Sequence, residues 1–399
     1  MLAEIPGIVT INKKSVVIEI AHDLGFHHVA IGSMQPLKDQ EDRYLSWIES
    51  GFAASMNYMQ KNLSRRMQPG YFFEGSKSAV LASVSYYSER PAIEPFQGAV
   101  ARYAVGLDYH AVFRRKMREL RDKIAVELNC SVLGKPFIDS YPFFEQAYAD
   151  RHGLGFIGKN SLLIMPELAG SYSFIGELFL DIELDADGPY QGTCGKCFRC
   201  GVDCPTEAIV EPGVVDSNRC ISYLTIENRD GIPLELRARL GDWVFGCDVC
   251  QEVCPYNQRP IKTPWIEFEP QSGAGHYLDL VETLAIGSEE VFQKKFGTTA
   301  LRRPGRRGII RNALVVLGNQ FAEIVSGSSR WQGVTSSELE AVKRSVFDFA
   351  CRTDDEMLRE HAAWAVFRSG DASRLSSLEK RETVPVLKER LRKYVIALG

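Results

Sequence analysis

The sequence predicts an α+β protein of several domains: a mixed α/β region, a compact cysteine-rich module and an all-α tail. Three observations carry this. At 399 residues the chain is too long for one ordinary core. Eight of its ten cysteines crowd between positions 194 and 254. From about residue 263 onward the apolar pattern is helical. The expected boundaries are 1–190, 191–262 and 263–399.

In the first segment "AVLASVSYY" (79–87) is rich in small, β-branched and aromatic residues, as a strand should be. "AVARYAV" (99–105) reads the same way, and "SYSFIGELFLDIEL" (171–184) is a longer strand candidate. Between them 107–129 is helical, because Met117, Leu120, Ile124 and Leu128 recur every three or four residues. In the tail "GIIRNALVVLGNQFAEIV" (308–325) is an amphipathic helix. Ser337 with Glu340, and Thr353 with Glu356, read as capping boxes that open two more helices. A last helix ends the chain at "TVPVLKERLRKYVIAL". "IIRNALVVLGN" and "LREHAAWAVFRSG" look like two versions of one unit, which points to a HEAT-like stack.

Hydrophobic residues make up 45% and charged residues 25% of the chain, a normal soluble composition. A formal net charge of −4 argues against a uniformly basic nucleic-acid binder and leaves room for a local basic patch. The first residues carry an early acid and lysines where a secretory signal has an apolar core. No apolar run reaches the ~18 residues of a membrane span. The expectation is a cytoplasmic protein with no membrane partner.

Thiols crowded into one short segment of such a chain suggest metal rather than disulfides. Cys194, Cys197 and Cys200 are three apart, and Cys204 follows four later with Pro205 behind it. This is the C-x2-C-x2-C-x3-C-P run of bacterial ferredoxins, whose fourth thiolate serves the other cluster. The partner run is Cys247, Cys250 and Cys254, then Pro255, and Cys220 supplies the thiol it lacks. The crossed assignment gives one 4Fe–4S cluster Cys194, Cys197, Cys200 and Cys254. The other takes Cys204, Cys220, Cys247 and Cys250. Zinc could use two C-x2-C pairs, but it has no need of a third thiol at the next interval. Cys130 and Cys351 stand apart as idle thiols. The module is therefore ferredoxin-like with two clusters, and metal must supply much of its stability.

Upstream, "FIDSYPFFEQAYADRHGLGFIGKNSLLI" (137–164) joins an acid, Asp139, to a glycine-rich turn and the polar residues Lys159, Asn160 and Ser161. Glycines let backbone approach a bulky ligand. A carboxyl beside a redox cofactor could give a proton to a departing oxygen. An aspartate before serine is also an ordinary turn residue.

This stretch, the double cysteine run, "CISYLTIE" and "RRMQPG" together resemble the epoxyqueuosine reductases, from about residue 66 to the helical tail. The resemblance implies an N-terminal cobalamin-binding α/β domain related to reductive dehalogenases, the double-cluster module and a HEAT-like tail. It implies reduction of the epoxide of epoxyqueuosine to queuosine at the tRNA wobble base, with electrons passing through the clusters to cobalamin. It places Asp139 as proton donor, and Arg66, Asp139, Asn160, Ser222 and Asp248 near the corrin. An external ferredoxin or flavodoxin is the expected electron donor, and a monomer the expected state. Gln146 stands where the family frequently has arginine, and His152 where it frequently has alanine. His152 also completes a D-x-H-x-x-G from Asp150 to Gly155, read as a coincidence around a solvated helix-end histidine.

Residues 291–312 carry seven basic residues and no acid. Arg302, Arg303, Arg306, Arg307 and Arg311, around Pro304 and Gly305, read as an exposed loop for tRNA phosphates. Tyr141, Phe143 or Phe144 could stack on a splayed base. The rival readings are a dehalogenase-like reductase of a small molecule, a non-catalytic iron–sulfur electron carrier, and an RNA-binding module with structural clusters. The first lacks salt-dependent tRNA affinity, the second binds no corrinoid, and the third forms no product base.

Overall fold

The structure, a computed structural model, describes residues 12–139, 141–166 and 170–398. An antiparallel sheet organises the first part. Its strands run His28–Ser33, Ser78–Ser85, Ser173–Leu180 and Gly134–Phe137, side by side in that order. Every residue of Ser78–Ser85 is buried, and the pleat sends alternate side chains to opposite faces. Val80, Ala82 and Val84 meet Val17, Phe113, Met117 and Leu120 of the helices Lys13–Asp23 and Tyr109–Glu127. Ala79 and Leu81 join Phe137, Phe143, Tyr148 and Phe179 on the other face.

Three sequence expectations hold closely here: 79–87 is the strand Ser78–Ser85, 107–129 the helix Tyr109–Glu127, and 171–184 the strand Ser173–Leu180. The segment 99–105 is strand only over Gln97–Val100 and then tightens into the 3-10 turn Arg102–Ala104. The cause is Arg102, whose backbone N–H and guanidinium both turn inward to the Asp248 carboxylate, at 2.9 and 3.1 Å.

Gln97–Val100 is the middle strand of a second sheet, parallel to Trp243–Phe245 and antiparallel to Tyr277–Asp279. Each of the three expected segments thus gives one strand to a common sheet. One apolar core runs from Ala99 through Phe245 to Tyr394. The cysteine module is wedged between its neighbours and shares their core.

The tail is built from the helices Gly305–Val325, Ser336–Arg352, Glu356–Arg368, Ala372–Arg381 and Pro385–Leu398. The two repeated sequence units are the first and third of these, and they pack together. A Cβ at Gly318 would lie 2.5 Å from the Trp364 ring, so glycine sets how closely they approach. Both capping boxes are displaced. Thr335 and Glu338 cap Ser336–Arg352 reciprocally, and Asp355 caps Glu356–Arg368 by accepting from Leu358 N–H. Among the described residues no helix is long and apolar enough to cross a membrane.

The basic stretch needs correction. It is the helix Glu289–Phe296, a short turn and the opening of Gly305–Val325, not an exposed loop. Arg311 is fully buried. Its guanidinium donates to the carbonyls of Asn228, Asp230 and Leu224 at 2.8, 2.6 and 2.6 Å, which fastens the tail to the cysteine module. It has no surface left for a phosphate. Arg311→Ala would leave three carbonyls without their donor, two of them buried, at about 1–3 kcal/mol for each buried one before relaxation. Thermal unfolding should show a loss of roughly 3 kcal/mol or more, with unchanged tRNA affinity in the fraction that folds.

Candidate active site

A cavity of about 2020 Å³ opens between the first turn of Tyr109–Glu127, Asp139 with the segment that follows it, the region around residues 40–66, and residues 297–303. Small-molecule pockets are commonly about 300–1,000 Å³, so this one suits a much larger guest. Its wall carries aromatic rings, among them Trp47, Tyr58, Tyr103, Tyr141 and Phe144, beside charged groups.

Asp139 follows the strand Gly134–Phe137 and holds a left-handed backbone, φ 48°. Such a conformation is strained for a residue with a Cβ and must be held by its surroundings. Two contacts hold it: its N–H donates to Glu145 Oε1, and the Tyr109 hydroxyl donates to Asp139 Oδ2. Tyr109 is itself pinned by stacking on Phe174, ring centroids 4.4 Å apart at 10°. His110 Nε2 lies 3.4 Å from Asp139 Oδ2, and its Nδ1 lies 2.7 Å from Asp108 Oδ1. Asp108 caps the helix by accepting from His110 N–H, and its other oxygen meets Arg302 at 2.9 Å. A chain of charges, Arg302–Asp108–His110–Asp139, therefore ends on a carboxylate accessible from the cavity.

The electrostatics follow from this order. Burial opposes charge on His110, but hydrogen bonds to Asp108 and Asp139 outweigh it and push the imidazole up to about 9. Burial raises the Asp139 carboxyl, yet His110 and Tyr109 more than offset that and hold it below the usual aspartate value. At neutral pH the pair keeps one proton, resident on the ring. Behind it Glu145 is pushed up by burial and by the Glu177 and Asp139 carboxylates.

The thiols form two groups. Cys194, Cys197, Cys200 and Cys254 ring a space of about 30 Å³. Burial raises the Cys200 and Cys254 thiols, and each is raised further by Cys194 and Cys197. Burial likewise raises Cys220, Cys247 and Cys250; Cys220 also feels Cys204, Cys247 feels Cys250 and Cys220, and Cys250 feels Cys220 and Cys204 together with Cys200 of the first group. Among the described residues no three His, Cys, Asp or Glu side chains converge as a single ion needs. The thiols surround wider spaces, and only a bound cation would let so many ionise together. Cys130 and Cys351 are exposed and apart.

Of the five residues expected near a corrin, Arg66 and Asp139 line the large cavity. Arg66 is buried and donates to the carbonyls of Lys61 and Tyr58 at 3.3 and 3.0 Å. The other three sit with the thiols. Asn160 lines the space of the first group. Ser222 follows Cys220 at the start of a short helix and eases the upward push that burial gives its thiol. Asp248 is buried between Cys247 and Cys250, paired with Arg90 at 2.8 Å and with Arg102. The glycine-rich turn packs closely on neighbouring backbone. A Cβ at Gly153 would lie 2.7 Å from Gly188 O, and one at Gly155 2.5 Å from Ile164 O. His152 is buried, not solvated. Its Nδ1 faces Asp187 O at 3.0 Å and its Nε2 accepts from Ser33 N–H at 3.4 Å, so no nitrogen is left for cobalt.

Four of the five predicted tRNA arginines keep some exposure, but each is engaged. Arg302 meets Asp108. Arg303 grips Glu227 in a fork at 2.7 and 3.0 Å. Arg306 donates to Ile286 O at 2.6 Å, and Arg307 pairs with Asp355 at 2.5 Å. Tyr141, Phe143 and Phe144 all reach the cavity wall, though Phe143 is mostly core. Sequence reading missed Asp108, Tyr109, His110 and Glu145. The available signal was Asp-x-His at a helix start, which places a cap and an imidazole on one turn.

Residues 193–257 match a family described as "4Fe-4S double cluster binding domain", and residues 66–140 one described as "Epoxyqueuosine reductase QueG, DUF1730". The chain is 39% identical over 305 residues to epoxyqueuosine reductase of Aliivibrio fischeri, covering 75% of this chain and 81% of that one. A crystal structure of epoxyqueuosine reductase with an epoxyqueuosine-modified tRNA-Tyr stem loop is similar with a TM-score of 0.83 and 27% identity, over 96% of this chain and 98% of the other. The Bacillus subtilis epoxyqueuosine reductase, solved with its aspartate catalytic loop swung out of the active site, gives 0.82 and 26%, over 97% and 99%. A chain with this cysteine module and this likeness along its length belongs to the epoxyqueuosine reductase family.

Proposed function

We propose that this chain reduces epoxyqueuosine to queuosine at the wobble base of tRNA, with cobalamin in the large cavity and two 4Fe–4S clusters in the two thiol groups. The observation that carries the reading is an acid pair, Asp139 with His110, on the wall of a cavity too large for an ordinary metabolite. The residues present fit both cofactors. The cavity has the breadth and aromatic lining for a flat macrocycle, and the thiols fall into two sets of four. Bound there, cobalamin would supply a low-valent cobalt reductant, and clusters in the thiol groups would supply single electrons.

The chain's own residues manage protons and position. Removing an epoxide oxygen as water consumes two electrons and two protons. The first proton starts on the His110 imidazolium and passes through the Asp139 carboxylate to the oxygen, and the second is drawn from solvent entering the cavity. Tyr109 fixes Oδ2, and Glu145 fixes the backbone, so the carboxylate meets the substrate with little rearrangement. The ion pairing of His110 is complete below ~6.5, the free imidazole value, and is lost as pH rises through about 9. The single-turnover rate should therefore fall above about pH 9, and His110→Gln should displace that limb. A wild-type profile flat to well beyond that pH would exclude His110 from proton supply.

Arg302, Arg303 and Arg307 stay about half exposed on the side chain. They would exchange carboxylate partners for tRNA phosphates, giving an affinity that weakens with salt. Tyr58, Tyr141 or Phe144 offers a stacking face for the extruded base. The segments act as a corrin-binding region (1–190), a cluster module (191–262) and a HEAT-like tRNA platform (263–399). The enzyme works as a cytoplasmic monomer fed by a ferredoxin or flavodoxin. The direct test is anaerobic incubation with epoxyqueuosine-containing tRNA, cobalamin and a strong reductant, followed by nucleoside mass analysis. Loss of one oxygen supports the reading, and an unchanged nucleoside overturns it.

A further inference from the structure

Asn160, expected near a corrin, lines the space beside the first thiol group. The residue is 5% exposed. Its Oδ1 accepts from Leu162 N–H at 3.3 Å, which fixes the plane of the amide. Its Nδ2 is buried and has no hydrogen-bond partner. A buried donor left unpaired costs about 1–3 kcal/mol, so native cores rarely keep one. Asn160 lines the space ringed by Cys194, Cys197, Cys200 and Cys254. Its neighbour already serves the same loop. Lys159 N–H donates to Cys194 Sγ at 3.4 Å, and the Lys159 ammonium bonds Gly195 O and Cys197 O at 2.7 and 2.9 Å. The hairpin that carries Lys159 and Asn160 is thus folded against this one thiol group. Gly158 keeps it close: a Cβ there would lie 2.8 Å from Asn160 Oδ1.

We propose that the Asn160 side-chain N–H is a hydrogen-bond donor to a sulfur of the cluster held by Cys194, Cys197, Cys200 and Cys254, and that it raises that cluster's reduction potential. This rests on the reading that clusters fill the thiol groups. Reduction adds negative charge to the cube, and a donor aimed at its sulfur stabilises the reduced form more than the oxidised one. The Lys159 ammonium acts in the same direction through its fixed charge. The pair makes this cluster a readier electron acceptor than it would be without them, with no residue of the cavity involved.

The test is an EPR-monitored redox titration of the anaerobically reconstituted full chain. Asn160→Leu should move the midpoint of one cluster to more negative potential by about a tenfold change in its reduction equilibrium, which is about 59 mV for one electron. The other cluster should not move. Equal midpoints in variant and wild type would overturn the proposal. Should Asn160→Leu fail to retain iron, wild-type protein with 15N-labelled asparagine gives a second readout. A nitrogen hyperfine coupling to the reduced cluster supports the contact, and its absence refutes it. Iron content separates the two levels of the argument, since a chain without two clusters fails the functional reading before Asn160 is tested.

Discussion

Asp139→Asn should lower the single-turnover rate about 10²–10⁴-fold, the usual contribution of a positioned acid, with tRNA affinity and iron content unchanged. The amide keeps the shape of the carboxyl, so Tyr109 can still donate to its oxygen and Glu145 can still accept the backbone N–H. What disappears is the group that trades a proton with His110. Tyr109→Phe makes a useful contrast. It removes only the hydroxyl that fixes Oδ2, and the stacking on Phe174 survives. Its loss should be well below that of Asp139→Asn. Equal losses would mean that orientation, not proton supply, is what Asp139 gives. A fully active Asp139→Asn would take Asp139 out of the chemistry.

The second large effect concerns the crossing of the cysteine runs. Cys254 belongs by sequence to the run of Cys247 and Cys250, but in space it stands with Cys194, Cys197 and Cys200. Cys254→Ala should therefore destabilise the cluster of the upstream run and leave that of Cys204, Cys220, Cys247 and Cys250 in place. Iron should fall from about eight to about four per chain, and turnover supported by an external donor should be abolished. Cys220→Ala should give the complementary loss. The paired variants are informative because an uncrossed assignment predicts the reverse for Cys254.

Sequence reading reached furthest where chemistry is local. Ligand spacing within a few residues dictates how thiols share a cluster, so the eight cysteines were legible, with Cys220 the inferred member. Long strands and helices were legible for the same reason, since Ser78–Ser85 and Tyr109–Glu127 carry their own periodicity. Contacts made across the chain were not. Asp139 meets Tyr109 and His110 from thirty residues away, and nothing in 137–164 announces the partner. Arg311 was misread because charge counting ignores how deep along a helix a residue sits, even on one face. Arg307 lies one turn earlier at the rim, whereas Arg311 points into the module. Overlapping cap signals misled by two residues, because Thr335 and Ser337 both precede a glutamate by three, and only geometry chooses. Asn160, Ser222 and Asp248 are placed near a corrin by family likeness alone; what the sequence did not show is their packing, with Asn160 lining the space of the first thiol group and Asp248 paired with Arg90 and Arg102.

The proposed reduction requires two iron cubes, each held by cysteines from both ends of the module. Mössbauer spectroscopy of the 57Fe-enriched, anaerobically isolated protein measures this most directly. The prediction is about eight irons per chain, all in cubane environments. A single-cluster count, mononuclear iron or zinc in place of iron would contradict it.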